Sequence, residues 1–134
     1  MNQAFEIDGN EFDTLEGFYD AIGKVLIPGQ SWGRNFDALD ELLDGTFGTP
    51  IGGFVLIWKN SEISKARFGF AETSRILRNK QNNSCPENHE LIRKQIDDAL
   101  NGKGKTIFEE LVELIEEHGR GGTKSKDQIE LQLC

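Results

Sequence analysis

The longest apolar run in the chain spans five residues, from Phe54 to Trp58, and it limits the possible folds more than any other feature. Glycines at 52 and 53 and Asn60 bound the run, and these residues favour turns. A short strand without polar alternation is typical of a central strand that is covered on both faces of a sheet. A bilayer needs about 20 apolar residues. The run therefore predicts a central, doubly covered strand, and no membrane span is expected.

Shorter strand patterns occur near both ends of the chain, at 5–7 and 129–133, where apolar and polar residues alternate. Between the strand patterns, apolar residues recur with the period of a helix. The segments predicted to be helical are 14–26, 36–44, 62–67, 70–78, 86–100 and 106–118. Parallel strands need crossover connections of this kind. We therefore expect an α/β fold: one domain over residues 1–134, built on a small, mainly parallel sheet.

Residues that favour helix ends accompany most of these segments. N-terminal caps are expected at Asp13 with Glu16, at Asn35, at Ser61 and at Thr106 with Glu109. The second helix is expected to end at Gly45. The polar segments 79–84 and 121–126 predict loops, the second of them flexible.

The negative charge of the chain is concentrated in one part of the sequence. The 134 residues include 23 acidic and 15 basic side chains, for a net charge of −8. Residues 1–50 alone contain ten acidic and two basic side chains, whereas residues 51–134 are neutral. Proteins that bind nucleic acid directly carry a basic surface. We therefore expect no direct nucleic-acid binding, and a function for the acidic N-terminal half.

Four of these carboxylates share one face of the second predicted helix. They are Asp37, Asp40, Glu41 and Asp44, at positions i, i+3, i+4 and i+7. Each neighbouring pair of like charges costs about 0.2–0.5 kcal/mol in an isolated helix. After Arg34, we expect no lysine or arginine to relieve the stripe. A solvated acidic face is the simplest interpretation, but stability does not require this arrangement.

A carboxylate face next to an aromatic side chain, here Trp32, is what a site for a cationic protein would contain. Opposite charge speeds association, and carboxylates form bidentate pairs with arginine. The pattern favours a binding surface for a basic partner.

Three segments resemble the barstar family, the intracellular inhibitors of the ribonuclease barnase. The segments are Gln3–Gly9, Trp32–Gly45 and Phe54–Lys59. The most specific part is Trp-Gly-Arg-Asn-Phe-Asp-Ala-Leu, from Trp32 to Leu39. The resemblance covers residues 3–65 and, more loosely, 106–118 and 128–133. Residues 69–104 have no obvious counterpart in the family, so we expect a helical insertion there within the single domain.

The resemblance implies a three-stranded parallel sheet with helices packed around it. It also implies an inhibitory surface made by the second helix and the loop before it. By motif position, Asp37 and Glu41 match the carboxylates that enter the nuclease active site. Trp32 and Asn35 match loop and cap residues of that interface, and Gly33 matches a position of close approach.

Three positions depart from the family pattern. Glu41 replaces the key aspartate and is one methylene longer, Asp40 replaces a tryptophan, and Ser31 replaces one of two tyrosines. We therefore expect a cytoplasmic immunity protein against a different basic ribonuclease or nuclease toxin. It would bind through Trp32, Gly33, Asn35, Asp37, Asp40, Glu41 and Asp44. It would act as a monomer in a 1:1 complex, without catalysis, cofactor or metal.

Other functions remain open at this point. Residues 99–106 fit a loose phosphate-loop pattern ending in Gly-Lys-Thr, which would suit a nucleotide-binding enzyme. That loop needs a strand before it, whereas residues 91–100 have helical periodicity. The chain lacks a calcium-loop pattern, and Cys85, His89, His118 and Cys134 lack the spacing of metal ligands. A domain of the same family that binds some other basic protein is a third possibility.

Overall fold

The computed structural model of the chain describes residues 3–50 and 52–134. The strands are β1 (Gln3–Asp8), β2 (Phe54–Lys59) and β3 (Glu130–Leu133). The helices are α1 (Leu15–Leu26), α2 (Phe36–Leu43), α3 (Ser61–Arg67), α4 (Phe70–Asn82), α5 (His89–Leu100) and α6 (Ile107–Glu117). Short 3₁₀ turns lie at Gly9–Glu11, Pro86–Asn88 and Ser125–Asp127.

The three strands form one parallel sheet in the order β1-β2-β3. Strand β2 is central, and Leu56 pairs with Phe5 on one side and with Leu131 on the other. The helices between the strands supply the crossovers that parallel pairing requires. The predicted α/β class and three-stranded parallel sheet are confirmed.

The prediction that β2 is covered on both faces is wrong. Phe54, Leu56 and Trp58 belong to the buried core, whereas Val55 and Ile57 are only half-buried and lie outside it. Residues of β1 and β3 on the second face, such as Glu6 and Glu130, are exposed. The apolar run gave a wrong prediction of coverage on both faces because Val and Ile also favour strands in which they are only half-buried, even where one face of the sheet meets solvent.

Trp58 lies at the centre of the core and is fully buried. Its ring packs against Phe12, Phe18 and Phe108, with ring centroids 5.1–6.2 Å apart. Its indole nitrogen donates to Ser64 Oγ at 3.0 Å, which satisfies the one polar group of the side chain. The sheet, α1, α3 and α6 therefore meet at this residue.

Two of the predicted caps are confirmed and two are displaced by one residue. Asn35 caps α2, and Thr106 with Glu109 forms a capping box at α6. Thr14 caps α1 in place of Asp13, so Glu16 lies one position too early to complete a capping box.

At α3, the residue before the helix is Asn60, and Ser61 is the first helical residue. Asn60 is in the left-handed region, with φ 55°, which asparagine tolerates better than most residues. Its amide donates to Asp8 Oδ1 at 2.8 Å. Ser61 instead directs its hydroxyl to the Cys134 carbonyl at 3.0 Å, and it therefore joins α3 to the end of β3.

Helices α4 and α5 pack against each other as a hairpin. The loop predicted over 79–84 is wrong for residues 79–82, because α4 continues to Asn82. Asn83 and Ser84 return their side chains to the carbonyls of Asn79 and Lys80. These bonds satisfy carbonyls that the end of a helix leaves unpaired, so polar residues prolong and close the helix here.

An ion-pair network attaches the hairpin to α1. Glu72 is 8% exposed and accepts a hydrogen bond at 2.9 Å from the Leu15 backbone amide, at the start of α1. Arg75 binds both Glu72 oxygens and also Glu16. Burial has the largest single effect and raises the pKa of Glu16, but the hydrogen bond from Arg75, a backbone hydrogen bond and the charges of Arg75 and Arg34 together outweigh it, so the net pKa lies below its usual value. The hairpin is therefore fixed to the N-terminal half of the chain.

Within the described residues, every helix is too short or too polar to cross a membrane.

Candidate partner-binding surface

Helix α2 carries the predicted acidic stripe, and its opposite side belongs to the core. Asn35 accepts a hydrogen bond from the Ala38 amide at 2.7 Å and so starts the helix. Leu39, Leu42 and Leu43 are at most 2% exposed. Because three leucines fix the rotation of the helix, the other face is held toward solvent.

Asp37 and Glu41 are exposed on that face. Within residues 3–50 and 52–134, neither forms a salt bridge. Asp37 lies in the first turn, where the helix dipole favours a carboxylate, whereas Glu41 lies in the second half, where it does not. The dipole of α2 therefore does not stabilise the negative charge of Glu41.

Asp44 lies just beyond the last residue of α2, as its C-terminal cap. It is exposed, and its Oδ1 accepts hydrogen bonds from the backbone amide and the hydroxyl of Thr46. Gly45 follows with φ 95°, a left-handed conformation that ends a helix. The predicted end at Gly45 is confirmed, and Asp44 extends the exposed row to Asp37, Glu41 and Asp44.

Asp40 differs from the other three carboxylates because its side chain is only 29% exposed and both of its carboxylate oxygens have hydrogen-bond partners. One carboxylate oxygen lies 2.7 Å from His118 Nε2, and the other binds Lys124 Nζ. Burial has the largest single effect and raises the pKa of Asp40, but the hydrogen bonds and the electrostatic interactions with Lys124 and His118 together outweigh it, so the net pKa lies below its usual value. The expectation that no basic residue relieves the stripe is therefore wrong: Lys124, which is 84 positions away, does so.

Trp32 packs on α1 and is half-buried. Its ring meets Tyr19 edge-on, with centroids 5.5 Å apart. Gly23 makes room for the indole, since a Cβ there would lie 2.7 Å from Trp32 Nε1. The structure thus brings Trp32 beside the start of α2 while leaving part of its ring accessible.

Gly33 and Arg34 connect Trp32 to the helix. A Cβ at Gly33 would lie 2.9 Å from Ala38 Cβ, so a side chain at this position would crowd the first turn of α2. Arg34 has φ 54° and pairs with Asp20 at 2.9 Å. It also donates to the Glu16 carbonyl at 3.2 Å. These contacts direct the cation of Arg34 toward α1.

A cleft of about 590 Å³ opens beside Asp37. Its lining includes the apolar side chains of Tyr19, Phe36 and Ile76 and the charged side chains of Lys80 and Glu110. Burial raises the pKa of Glu110. The cleft places the hairpin next to the N-terminal end of the acidic row.

Sequence reasoning missed the group that holds Asp40, namely His118, Lys124 and Asp127. One signal was present: His118 continues the apolar stripe of α6 after Leu111 and Ile115, at helical spacing. A histidine in that register is directed into the core. Lys124 lies in the segment 121–126, which was predicted to be a flexible loop, and Asp127 directly follows that segment, so neither residue gave a signal.

The residues of the phosphate-loop pattern do not form such a loop. Helix α5 precedes the segment in place of the strand that a phosphate loop requires. Lys105 pairs with Glu113 at 2.7 Å, and Thr106 is used in the capping box. The segment joins two helices.

No group of three or more His, Cys, Asp or Glu side chains in the described parts of the chain is arranged to hold a metal ion. Cys85 and Cys134 are exposed free thiols. His89 Nε2 lies 3.1 Å from the Ser84 carbonyl oxygen, within the connection between α4 and α5.

Comparison with known proteins gives one match. Neither the curated proteins nor the solved structures contain a significant relative of this chain. The family model described as Barstar (barnase inhibitor) matches residues 2–84. The match includes α2, the loop before it, β2 and the whole of α4. It covers more than half of the chain, which therefore belongs to the Barstar (barnase inhibitor) family.

Proposed function

We propose that this protein is an intracellular immunity protein that inhibits a basic ribonuclease by covering its active site. The acidic row of Asp37, Glu41 and Asp44 would enter the cleft where the enzyme holds RNA phosphates. Arginine, lysine and histidine side chains bind those phosphates, and carboxylates can pair with the same groups. The inhibitor would exclude RNA by occupying the cleft and needs no catalysis of its own.

One observation carries the proposal: Asp37 and Glu41 lie exposed, and form no salt bridge with any residue that the structure describes, on a helix whose other face is fixed by buried leucines. Their mutual repulsion lowers the stability of the free protein. A cationic partner would reverse that cost, because charge pairs desolvated in an interface contribute affinity and specificity.

The loop before α2 would form the edge of the same surface. Trp32 offers an aromatic ring, and aromatic residues are enriched among interface hot spots. Gly33 and Asn35 shape the start of the helix, so they would set the position of Asp37. Asp40 would contribute indirectly, because His118 and Lys124 already occupy its oxygens.

The cognate enzyme would differ from barnase in the shape of its cleft. The longer Glu41 reaches about one methylene further than aspartate, and Asp40 cannot fill the space of a tryptophan. We propose a 1:1 complex with a basic ribonuclease, such as a nuclease toxin encoded beside this protein.

The test is an RNA-cleavage assay with barnase and a panel of other basic microbial ribonucleases, each titrated with the protein at low and at high salt. Inhibition of the cognate enzyme should weaken as salt rises, since screening reduces steering and surface attraction. Asp37→Ala and Glu41→Ala should each weaken inhibition by at least about 30-fold, which corresponds to a hot spot of about 2 kcal/mol.

Glu62→Ala is the matched control, because it removes one exposed carboxylate from the first turn of α3. Its inhibition constant should equal that of the unmodified protein. The proposed surface is wrong if an enzyme is inhibited equally well by the Asp37→Ala, Glu41→Ala double variant. The proposed function is wrong if no basic ribonuclease in the panel, including any encoded next to this protein, is inhibited at low salt.

A further inference from the structure

His118 is a fully buried histidine that lies between two carboxylates. Its Nε2 is 2.7 Å from Asp40 Oδ1, and its Nδ1 is 2.6 Å from Asp127 Oδ2. Asp40 belongs to α2, and Asp127 belongs to the 3₁₀ turn before β3. One imidazole ring therefore joins the acidic helix to the C-terminal segment.

The geometry constrains the protonation state of the ring. A neutral imidazole has one N–H group, so one of its nitrogens carries a lone pair instead of a proton. At 2.6–2.7 Å, that lone pair would face the lone pairs of a carboxylate. The doubly protonated ring has a donor on each side, so both contacts become charge-assisted hydrogen bonds.

The other charged groups around the ring fit this state. Lys124 binds the second oxygen of Asp40, so a lysine and an imidazolium face two carboxylates. The hydrogen bond to Asp40 is the main cause that raises the pKa of Lys124, and the negative charges of Asp40, Glu117 and Asp44 add to it. The charges of Asp40 and Asp127 are matched by those of Lys124 and His118 only if the ring is charged, and a buried charge needs such partners.

Backbone contacts hold the same segment in place. The His118 carbonyl accepts from the Ile129 amide at 3.0 Å, and the Glu117 carbonyl accepts from the Lys124 amide at 2.8 Å. A Cβ at Gly122 would lie 2.2 Å from the Glu117 carbonyl oxygen, so the turn passes directly over the end of α6. The segment 121–126, predicted to be flexible, is therefore anchored to α6, and Lys124 also anchors it to Asp40 on α2.

We propose that His118 is a doubly protonated positioning residue that fixes α2 to the C-terminal segment. It holds Asp40 inward and orients Asp37, Glu41 and Asp44 toward solvent. The orienting role in inhibition rests on the proposed function, whereas the protonation state is a property of the free protein. The two parts can fail separately.

The test is nuclear magnetic resonance of the free protein with ¹⁵N-labelled histidine rings at neutral pH. The chain contains two histidines, and the variant His89→Gln assigns the signals. Both ring nitrogens of His118 should be protonated. A single protonated ring nitrogen in the unmodified protein would overturn the proposal.

Two variants test whether the carboxylates of Asp40 and Asp127 cause the double protonation of the ring. Asp40→Asn and Asp127→Asn each replace one carboxylate by an amide, which can donate to a neutral ring. The ring nitrogen that faces the new amide should lose its proton in each variant. The matched control is Asp37→Asn, which removes the same charge from α2 without touching the ring, and its His118 signals should stay unchanged. A ring that stays doubly protonated with both carboxylates replaced would contradict the proposed cause.

If a ribonuclease is inhibited, Asp40→Asn should weaken inhibition less than Asp37→Ala does. The Asp40→Asn variant loosens the attachment of α2 to the C-terminal segment but removes no contact with the ribonuclease. An Asp40→Asn variant that loses as much inhibition as Asp37→Ala would show that Asp40 contacts the partner directly, and would contradict the positioning role. The resonance experiment does not depend on that result.

Discussion

Helices α2 and α4 both carry carboxylates, but they use them differently. On α4, Glu72 is nearly buried, binds Arg75 through two oxygens and caps the start of α1. On α2, Asp37 and Glu41 are exposed and form no salt bridge within the described residues.

Asp40 shows that pairing was possible on α2 as well, since it is held by His118 and Lys124 from the far end of the chain. Carboxylates that serve the fold are paired and partly buried, as the cost of desolvation requires. Those left exposed on α2 lower the stability of the free chain, which is reasonable if a partner supplies the missing positive charge.

The largest effect on folding should come from the α4 network. Arg75→Ala leaves Glu72 nearly buried without a counterion, and breaking a buried pair costs roughly 3–5 kcal/mol. Because Arg75 is itself 40% exposed, solvent replaces part of the interaction, and we expect a loss of about 2 kcal/mol. Urea unfolding measures this loss. Arg75→Lys keeps the charge without the two-pronged geometry and should lose less. Equal stability of Arg75→Ala and the unmodified protein would contradict the role of the network.

The second-largest effect should come from acid, which protonates the paired carboxylates and removes the stability that they contribute. Asp40 and Glu16 have pKa values below their usual 3.8 and 4.5. Groups with a depressed pKa in the folded state contribute stability above their usual values, and this is lost as pH falls through the folded value. The thermal midpoint should therefore fall as the pH drops below about 4.5. The fall should be smaller in Glu16→Gln, whereas Asp13→Asn, at an exposed carboxylate without a salt bridge in the described residues, should behave like the unmodified protein.

The smallest effect on stability should come from α2, where a substitution should stabilise the protein instead of destabilising it. Glu41→Gln removes two like-charge neighbours, at Asp37 and Asp44, and relief of each is worth about 0.2–0.5 kcal/mol. The free energy of unfolding should therefore rise slightly, while inhibition of the cognate enzyme falls. Glu62→Gln is the comparison, because Glu62 lies in the first turn of α3, where a carboxylate is favoured. A clear loss of stability in Glu41→Gln would mean that Glu41 serves the fold.

Local patterns in the sequence predicted the elements that depend on neighbouring residues. The cap at Asn35, the capping box from Thr106 to Glu109 and the end of α2 at Gly45 each depend on a few consecutive residues. The acidic row was also visible, because helical spacing places side chains on one face.

Long-range features were beyond the sequence. Asp40 meets His118 across 78 positions and Lys124 across 84, and no local pattern links such residues. The exposed second face of the sheet was missed for a related reason: whether Val55 faces a helix or solvent depends on where distant helices pack. The cap of α1 was displaced by one residue because Asp13 and Thr14 have similar capping ability. At α3, the side chain of Asn60 binds Asp8 and makes no capping hydrogen bond, a long-range contact that no local pattern indicates.

The placement of the two tryptophans gives the protein two separate optical reporters. Trp58 is fully buried and packs against three aromatic rings, whereas Trp32 lies half-buried at the edge of the proposed interface. Emission from the first reports whether the core is intact, and emission from the second reports whether the surface beside α2 is covered. The variant Trp32→Phe retains only the emission of Trp58, and subtracting it gives the emission of Trp32. For every variant described above, fluorescence would therefore distinguish loss of binding from loss of folding.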